Sequence, residues 1–279
     1  MNTHRIVHKD TIALVTADEV LISVAETEIR KARLDLEEYM ETRPLFRYAL
    51  SPFPEDPKAP PIARRMIRAA ARAGVGPMAA VAGATAEAVL RAMIKAGAKH
   101  AVISNGGDIA MILDRPITVG IFTGRSEEQT IALRIPPRRG IIAVCTSSGT
   151  VGHSLSFGQA DAATVVARDA ALADAAATAL GNAVQRRSEA GLLNALEKIR
   201  IPGIEGMLAV AGAHVAAKGR LPEIVRTRIG KATLNGHSEE KSASNGKNQV
   251  RPACEEQDFS WNGYVPCRIR TTQKERNPS

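Results

Sequence analysis

One pair of side chains has the residue types and the spacing of a cation site. Asp174 and Thr178 stand four positions apart in AALADAAATALGNAV (170–184), an almost wholly apolar helical segment. At that spacing they share a helix face, and a carboxylate in such a helix is costly unless it is paired, hydrogen-bonded or bound to a cation. A carboxylate with a hydroxyl suits Mg²⁺, whose coordination phosphate and water usually complete. The alternative is that the helix begins later and Asp174 only caps its first turn.

A second candidate is the polar segment after a predicted buried strand. The strand is the short β-branched run from Ile141 to Cys145, bounded by glycine and hydroxyl residues. Four hydroxyls, two glycines and an imidazole follow it: Thr146, Ser147, Ser148, Gly149, Thr150, Gly152 and His153. So many donors at a strand end indicate a ligand-binding rim. A solvated surface turn is the alternative that this composition leaves open.

A third candidate is an NGGD turn between two predicted strands, His100 to Ser104 and Ile109 to Leu113. The turn is a natural hairpin signal. Its glycines would also let backbone N–H groups face an anion while the flanking polar side chains orient a ligand. Both interpretations can hold for the same four residues, which are Asn105, Gly106, Gly107 and Asp108.

Cys145 stands about eight residues before His153, which raises the possibility of nucleophilic catalysis. Its place at the end of an apolar run favours a buried structural thiol, because cysteine is among the most buried residue types. The chain has three cysteines without metal-ligand spacing, so we predict neither a disulfide framework nor a zinc site.

Composition narrows the function classes. The net charge is +8, but the basic residues are scattered and aromatic residues make up only 3% of the chain, which disfavours a nucleic-acid interface. A positive balance also favours anionic small molecules. The N-terminal segment lacks a signal-peptide pattern and no stretch of 18 uncharged apolar residues occurs, so we expect a cytoplasmic protein without a membrane partner.

The elements that must position these candidates alternate between strands and helices. Prolines make 44–61 a connector without regular structure, and polar composition makes 231–279 a disordered extension of a domain spanning 1–230. The Ala-rich helix 79–96 allows close approach by a helix, a flat ligand or a second copy in a homodimer. Other predicted helices are 25–40, 62–73, 170–184 and 189–198, and other predicted strands are 11–16, 19–24, 117–122, 129–135, 162–167, 204–211, 212–218 and 223–228.

Three motifs together resemble the ApbE superfamily of FAD-dependent flavin transferases. They are NGGDI (105–109), CTSSGTVGHSLSFG (145–158) and ADAAATA (173–179), in the family's order and spacing. The segment GVGPMAAVAGA (74–84) resembles even more closely an uncharacterised bacterial and archaeal protein family, which forms a divergent branch of that superfamily. The resemblance covers about residues 5 to 228. It implies an α+β fold of mixed, mostly antiparallel sheets flanked by helices, in a single globular unit with a disordered C-terminal tail.

The resemblance also implies a site. A nucleotide cleft would lie between the NGGD turn and the central loop, where His153 would orient a phosphate or transfer a proton. A magnesium ion would bind Asp174, Thr178 and the carbonyl of Ala173. The residues expected to contact FAD or a related nucleotide are Asn105, Gly106, Gly107, Asp108, Thr146, Ser147, Ser148, Gly149 and Ser154.

Two departures from the family's pattern bear on activity. The lysine of the family's K-G-x-A-x-D segment is replaced by Ala82, with Glu87 at the acidic position, and its D-P-R-T-G turn is replaced by residues 155–158. The hypothesis is metal-dependent binding of a flavin nucleotide or similar phosphate-bearing ligand, with FMN transfer from FAD to an acceptor protein as its enzymatic form. The alternative is a non-catalytic protein of the same fold that acts in sulfur or homocysteine metabolism or as a ligand-binding or assembly factor.

Overall fold

The computed structural model describes residues 2–124, 130–149, 158–227 and 267–268. The helices are α1 (Ile22–Thr42), α2 (Pro44–Tyr48), α3 (Pro61–Ala73), α4 (Val81–Lys95), α5 (Ala170–Ala183) and α6 (Glu189–Lys198). The strands are β1 (Asn2–His8), β2 (Thr11–Ala17), β3 (Ala101–Asn105), β4 (Asp108–Leu113), β5 (Ile117–Gly120), β6 (Thr130–Ile135), β7 (Arg138–Ser147), β8 (Ala162–Ala167), β9 (Ile204–Ala211), β10 (His214–Gly219), β11 (Glu223–Thr227) and β12 (Cys267–Arg268).

A large antiparallel sheet organises the domain. Its strand order is β1-β2-β3-β4-β7-β8-β9-β10-β12, and a second antiparallel sheet has the order β11-β6-β5. The α+β fold with mostly antiparallel sheets is therefore confirmed. Within 231–279 the structure describes only β12, so the predicted tail otherwise lies outside the described residues.

The strands from β4 to β9 in the large sheet are largely buried on both faces, whereas most residues of the edge strand β1 are exposed. On one face, α4 packs on β3 and β4, α5 packs on β7 and β8, and α6 packs on β9 and β10. On the other face, Ile142, Val144 and Leu208 share an apolar cluster with Leu133 of the small sheet and with Ile121, which follows β5. Alternation along each strand thus separates two apolar clusters, and a third cluster lies between α1, α3 and α5.

The predicted strand over 19–24 is wrong. Residues Glu19–Leu21 form a 3₁₀ turn, and α1 begins at Ile22. The β-branched run favoured a strand locally. However, Ile22, Ala25 and Ile29 continue the buried stripe of α1 at helical spacing, so packing overrides local propensity.

The proline-rich connector is also more regular than predicted, because α2 lies inside it. Pro44 occupies the first turn of α2, where a missing N–H costs nothing. Phe46 is fully buried in this helix, and its ring meets those of Tyr39 and Phe53 edge-on at centroid distances of 5.1 and 5.4 Å. This aromatic contact anchors the connector to α1.

The segment Pro77–Lys95, a 3₁₀ turn followed by α4, meets the length and composition of a membrane span. It contacts α1, α5, β3 and β4, and 56% of its most apolar window is buried inside the protein. A buried helix of this composition is what a protein core requires.

Helices α4 and α5 approach each other closely at Gly83. A Cβ atom built on Gly83 would lie 2.2 Å from the carbonyl oxygen of Ala170 and 2.8 Å from Cβ of Asp174. Only glycine allows this separation. The small surface predicted for this helix therefore serves helix packing here.

We predict that Gly83→Ala destabilises the protein by about 1–3 kcal/mol, because α4 and α5 must separate to accommodate one methyl group. Chemical denaturation measures this free energy of unfolding. Without the contact, alanine in a helix interior would instead stabilise by about 0.5–1 kcal/mol, so a gain in stability contradicts the packing.

Ala88→Gly, on the same helix, supplies the matched control. Ala88 is half-buried. Its replacement should lower the free energy of unfolding by about 1 kcal/mol, the usual cost of glycine in a helix interior.

Candidate functional site

Polar side chains from three neighbouring strands meet α4 and α5 at one end of the large sheet. Asn105 ends β3, Asp108 begins β4, and Cys145 and Ser147 lie two residues apart near the end of β7. Side chains two residues apart point to the same face of a strand. Asn105 Nδ2 donates to the carbonyl of Ala82 at 3.2 Å, which shows that this face is the one covered by helices.

Asp174 enters the same region from α5. The helix begins at Ala170, and Asp169 is its N-cap, with Oδ1 accepting from the amide of Leu172 at 2.9 Å. The alternative that Asp174 caps the first turn is therefore wrong. Asp174 is instead buried in the helix interior, and its Oδ2 accepts a hydrogen bond from the backbone N–H of Gly83 at 2.8 Å.

Asp108 lies on the sheet face that α4 and α5 cover, close enough for its charge to act on Asp174. It is buried, and its Oδ1 accepts from the backbone N–H of Thr146 on β7 at 3.3 Å. Desolvation raises the pKa of Asp108 from 3.8 to about 7, although hydrogen bonds from the Cys145 thiol and the Thr146 amide oppose the shift. The pKa of Asp174 is raised well above 3.8, first by burial and then by the charge of Asp108.

The two carboxyl groups therefore form a buried acid pair, Asp108 and Asp174. Neither has an ion pair with a basic side chain in the part of the chain that the structure describes. Two such charges cannot both be ionised cheaply in a dry site. The pair needs either protons or a cation at neutral pH.

The other predicted metal ligands also lie on α5. Thr178 is half-buried one turn beyond Asp174. Ala173 is inside the helix, where its carbonyl accepts the amide four residues later, although a second lone pair is left. No group of three or more His, Cys, Asp or Glu side chains in the described ranges forms a metal cage. Any cation here would depend on the acid pair, hydroxyls, water and ligand oxygens.

The NGGD turn is a two-residue β-hairpin. Asn105 pairs with Asp108, and Gly106 and Gly107 have φ values of 65° and 106°, the positive angles that such turns require. Both glycines are exposed, and a Cβ on either would meet nothing within 4 Å. The hairpin interpretation is confirmed, and the space beside both glycines is open.

The predicted loop residues are divided between described and undescribed parts of the chain. The Thr146 hydroxyl lies 2.9 Å from that of Thr164, on the face opposite the acid pair, and Gly149 N–H donates to the carbonyl of Ala160 at 3.0 Å. Ser148 is half-buried and has a partner. Thr150, Gly152, His153 and Ser154 lie outside the described residues, so their predicted roles stay predictions.

Ser147 has a property that the sequence did not indicate. Its hydroxyl is buried and has no hydrogen-bond partner among the described residues. A buried hydroxyl without a partner costs about 1–3 kcal/mol. Because Ser147 shares its strand face with Cys145, this unpaired group belongs to the acid-pair region.

Cys145 is a buried thiol, as its place in the apolar run predicts. Its Sγ lies 3.5 Å from the carbonyl of Ala170. Burial and the neighbouring charges of Asp108 and Asp174 raise the pKa of the thiol well above its usual value. The nucleophile interpretation is therefore disfavoured, since a thiol in this environment stays protonated.

Glu87 has a positioning role that sequence reasoning missed. It is completely buried in α4, where Oε2 accepts from the amide of Ala170 at 2.6 Å and Oε1 accepts from Arg65 and Arg91 at 2.6 and 2.7 Å. Glu87 thus holds the start of α5 and, through it, Asp174. The sequence did contain a signal for this role, because Glu87 stands in an alanine-rich segment four residues before Arg91.

The comparisons with known proteins agree with these motifs. A family model described as "AbpE bacteria" matches residues 2–198. A UPF0280 protein of Methanocella arvoryzae is 46% identical over 222 residues, which cover 79% of this chain and 90% of the relative. A UPF0280 protein of Methanosarcina barkeri is 44% identical over 222 residues and covers 79% of this chain and 88% of the relative.

Among solved structures, a mutant of the flavin transferase ApbE of Vibrio cholerae aligns with a TM-score of 0.49 at 13% identity, over 78% of this chain and 96% of that chain. The apo flavinyl transferase ApbE of Pseudomonas stutzeri aligns with a TM-score of 0.46 at 14% identity, over 78% and 93%. The family model and the relatives each cover most of the chain, so the chain belongs to the ApbE-like family described as "AbpE bacteria", together with the UPF0280 proteins.

Proposed function

We propose that this protein binds a flavin nucleotide, or a related phosphate-bearing ligand, through a divalent cation at the acid pair. One observation carries the proposal: Asp108 and Asp174 are both buried, lie close enough for their charges to interact, and have no basic partner in the described residues. A bound cation would neutralise both carboxylates and the phosphate charge of the ligand. Mg²⁺ is the expected ion because the available donors are oxygen atoms.

The residues present fit such an ion. Backbone N–H groups of Gly83 and Thr146 fix the orientation of the two carboxylates. A carboxylate offers about four acceptor directions, so these hydrogen bonds leave capacity for a cation. The buried hydroxyl of Ser147 and the half-buried hydroxyl of Thr178 lie on the elements that carry or adjoin the pair. The open space beside the glycines of the NGGD turn supplies room for a ligand.

Family membership supports the flavin part of the proposal, through the NGGD and ADAAAT motifs that the chain retains. The position of the family's lysine is occupied by Ala82, whose carbonyl instead accepts from Asn105. A lysine donor for phosphate is therefore missing at that position. This observation favours, as a second candidate, a protein that binds the ligand without transferring FMN.

The proposed cation site predicts that ligand binding depends on metal. We expect FAD to bind in the presence of Mg²⁺ and to bind at least about tenfold more weakly with a chelator, a difference of about 1.4 kcal/mol. Asp174→Asn keeps the side-chain size and removes the charge, so it should abolish the Mg²⁺ dependence. Titration calorimetry with FAD, FMN, ADP and AMP measures both effects.

Asp161→Asn is the matched control. Asp161 is also a buried aspartate, but it makes two hydrogen bonds of 2.7 Å to Arg187. Its replacement should leave the Mg²⁺ dependence unchanged at temperatures where the variant is folded. Equal FAD binding with and without Mg²⁺ in the wild type would exclude the proposed site.

A transfer assay separates the two candidates. The protein is incubated with FAD, Mg²⁺ and a protein carrying a flavinylation motif, and covalent flavin and released AMP are measured. Covalent flavin with stoichiometric AMP supports FMN transfer. Metal-dependent binding without either product supports the non-catalytic candidate.

The acid pair also predicts how stability depends on pH without added metal. Carboxyl groups with raised pKa values bind protons more readily in the folded state than in the unfolded state. Their contribution to the free energy of unfolding is therefore complete below about pH 4 and is lost as the pH rises towards 7. Each pKa unit is worth about 1.4 kcal/mol, so the shift of Asp108 corresponds to a loss on the order of 4 kcal/mol. Asp108→Asn should therefore be more stable than the wild type at pH 7.5, with the advantage disappearing near pH 4.5.

Denaturation in a chelator at both pH values measures this difference. Asp161→Asn should be less stable than the wild type at pH 7.5, because that change removes the partner of a charged arginine. Saturating Mg²⁺ should stabilise the wild type and leave Asp108→Asn unchanged. A pH-independent difference between Asp108→Asn and the wild type would contradict a buried, uncompensated pair.

A further inference from the structure

A cavity outside the acid-pair region lies along α3. Its volume is about 640 Å³, within the range of small-molecule sites. Four guanidinium groups and two carboxylates line it together with small apolar side chains. The charged residues are Arg64, Arg65, Arg68, Arg72, Glu55 and Asp169.

Three of these arginines form a row along one side of α3. Arg64, Arg68 and Arg72 are spaced four residues apart, so their side chains follow one another at intervals of one helical turn. All three are exposed. Like charges at this spacing repel each other in an isolated helix, so the row is electrostatically unfavourable unless anions neutralise it.

The chain supplies only part of that neutralisation. Arg65 is paired with the buried Glu87 at 2.6 Å, and Arg72 donates to the carbonyl of Pro202. Arg68 meets Glu55 at 3.5 Å, where the two side chains are 68% and 71% exposed. An ion pair this exposed contributes little and is easily exchanged for another anion. Arg64 has no ion pair among the described residues.

We propose that this cavity is a metal-independent site for a small phosphate-bearing anion, held by Arg64 and Arg68. Guanidinium groups match phosphate oxygens with paired hydrogen bonds. The ligand displaces Glu55 from Arg68 on binding. No covalent step is involved.

The size and lining of the cavity favour a small anion over a macromolecule. A volume of about 640 Å³ bounded by one helix and its neighbours accommodates a phosphate-bearing metabolite. No aromatic side chain among the described residues lines the cavity, so stacking platforms for the bases of a nucleic acid are missing there. Inorganic pyrophosphate and a nucleoside diphosphate carry the same phosphate chemistry and are the two sources to distinguish.

This site does not depend on the proposed function. Its charged residues differ from the acid pair, although Asp169 at the cavity wall is the N-cap of the helix that carries Asp174. Binding here needs no cation, because arginine supplies the positive charge. A chelator therefore separates the two sites experimentally.

Calorimetry on the full chain, in a chelator at low salt, tests the cavity. Pyrophosphate should bind the wild type and Asp174→Asn equally. The double substitution Arg64→Gln with Arg68→Gln should weaken binding by at least about tenfold, or about 1.4 kcal/mol. ADP titrated in parallel identifies which source of phosphate binds more tightly.

Two further variants keep the result interpretable. Arg139→Gln removes one positive charge at an exposed position of β7 and should leave pyrophosphate affinity unchanged. Glu55→Gln removes the competing carboxylate, which is exposed, and should increase affinity severalfold. The proposal is overturned if neither pyrophosphate nor ADP binds the wild type, if the double variant binds like Arg139→Gln, or if Glu55→Gln weakens binding.

Discussion

The contact between α4 and α5 at Gly83 is the constraint on which the candidate site depends. At this glycine the backbone of α4 approaches the Ala170 carbonyl so closely that a single methyl group would collide with it. The same approach brings the Gly83 N–H to Asp174 Oδ2. Glu87, one turn further along α4, binds the amide of Ala170 and fixes where α5 begins. The contacts that pack α4 against α5 therefore also fix the position of Asp174.

This packing places two carboxyl groups where the protein cannot solvate a charge. Asp174 is held by backbone dipoles on an alanine-rich helix, and the sheet presents Asp108 on the face below. Elsewhere the fold compensates its buried acids with arginine, as it does for Glu87 and Asp161. The contrast at the acid pair is informative, because uncompensated buried carboxylates are costly and tend to mark functional sites.

Much of this architecture could be predicted from periodicity and turn chemistry. The hairpin at NGGD, the long apolar helix that carries Asp174 and the helix over 189–198 all follow from local signals, and the structure has them. The strand predicted over 19–24 was wrong, because Ile22 in that segment belongs to the buried stripe of α1. Contacts between residues far apart in the sequence could not be predicted either. No local pattern shows that Glu87 meets Arg65 and Ala170, or that Asp108 and Asp174, 66 positions apart in sequence, share one buried region.

The most direct test of the account is to locate a divalent cation. Crystals grown with Mn²⁺, which accepts the same oxygen ligands as Mg²⁺ and scatters anomalously, would show its position without reference to activity. If a cation binds the acid pair, an anomalous peak will lie in contact with carboxylate oxygens of both Asp108 and Asp174, and no peak will lie there in Asp174→Asn. A wild-type structure with Mn²⁺ bound only elsewhere, and with Asp108 and Asp174 sharing a hydrogen bond, would contradict it.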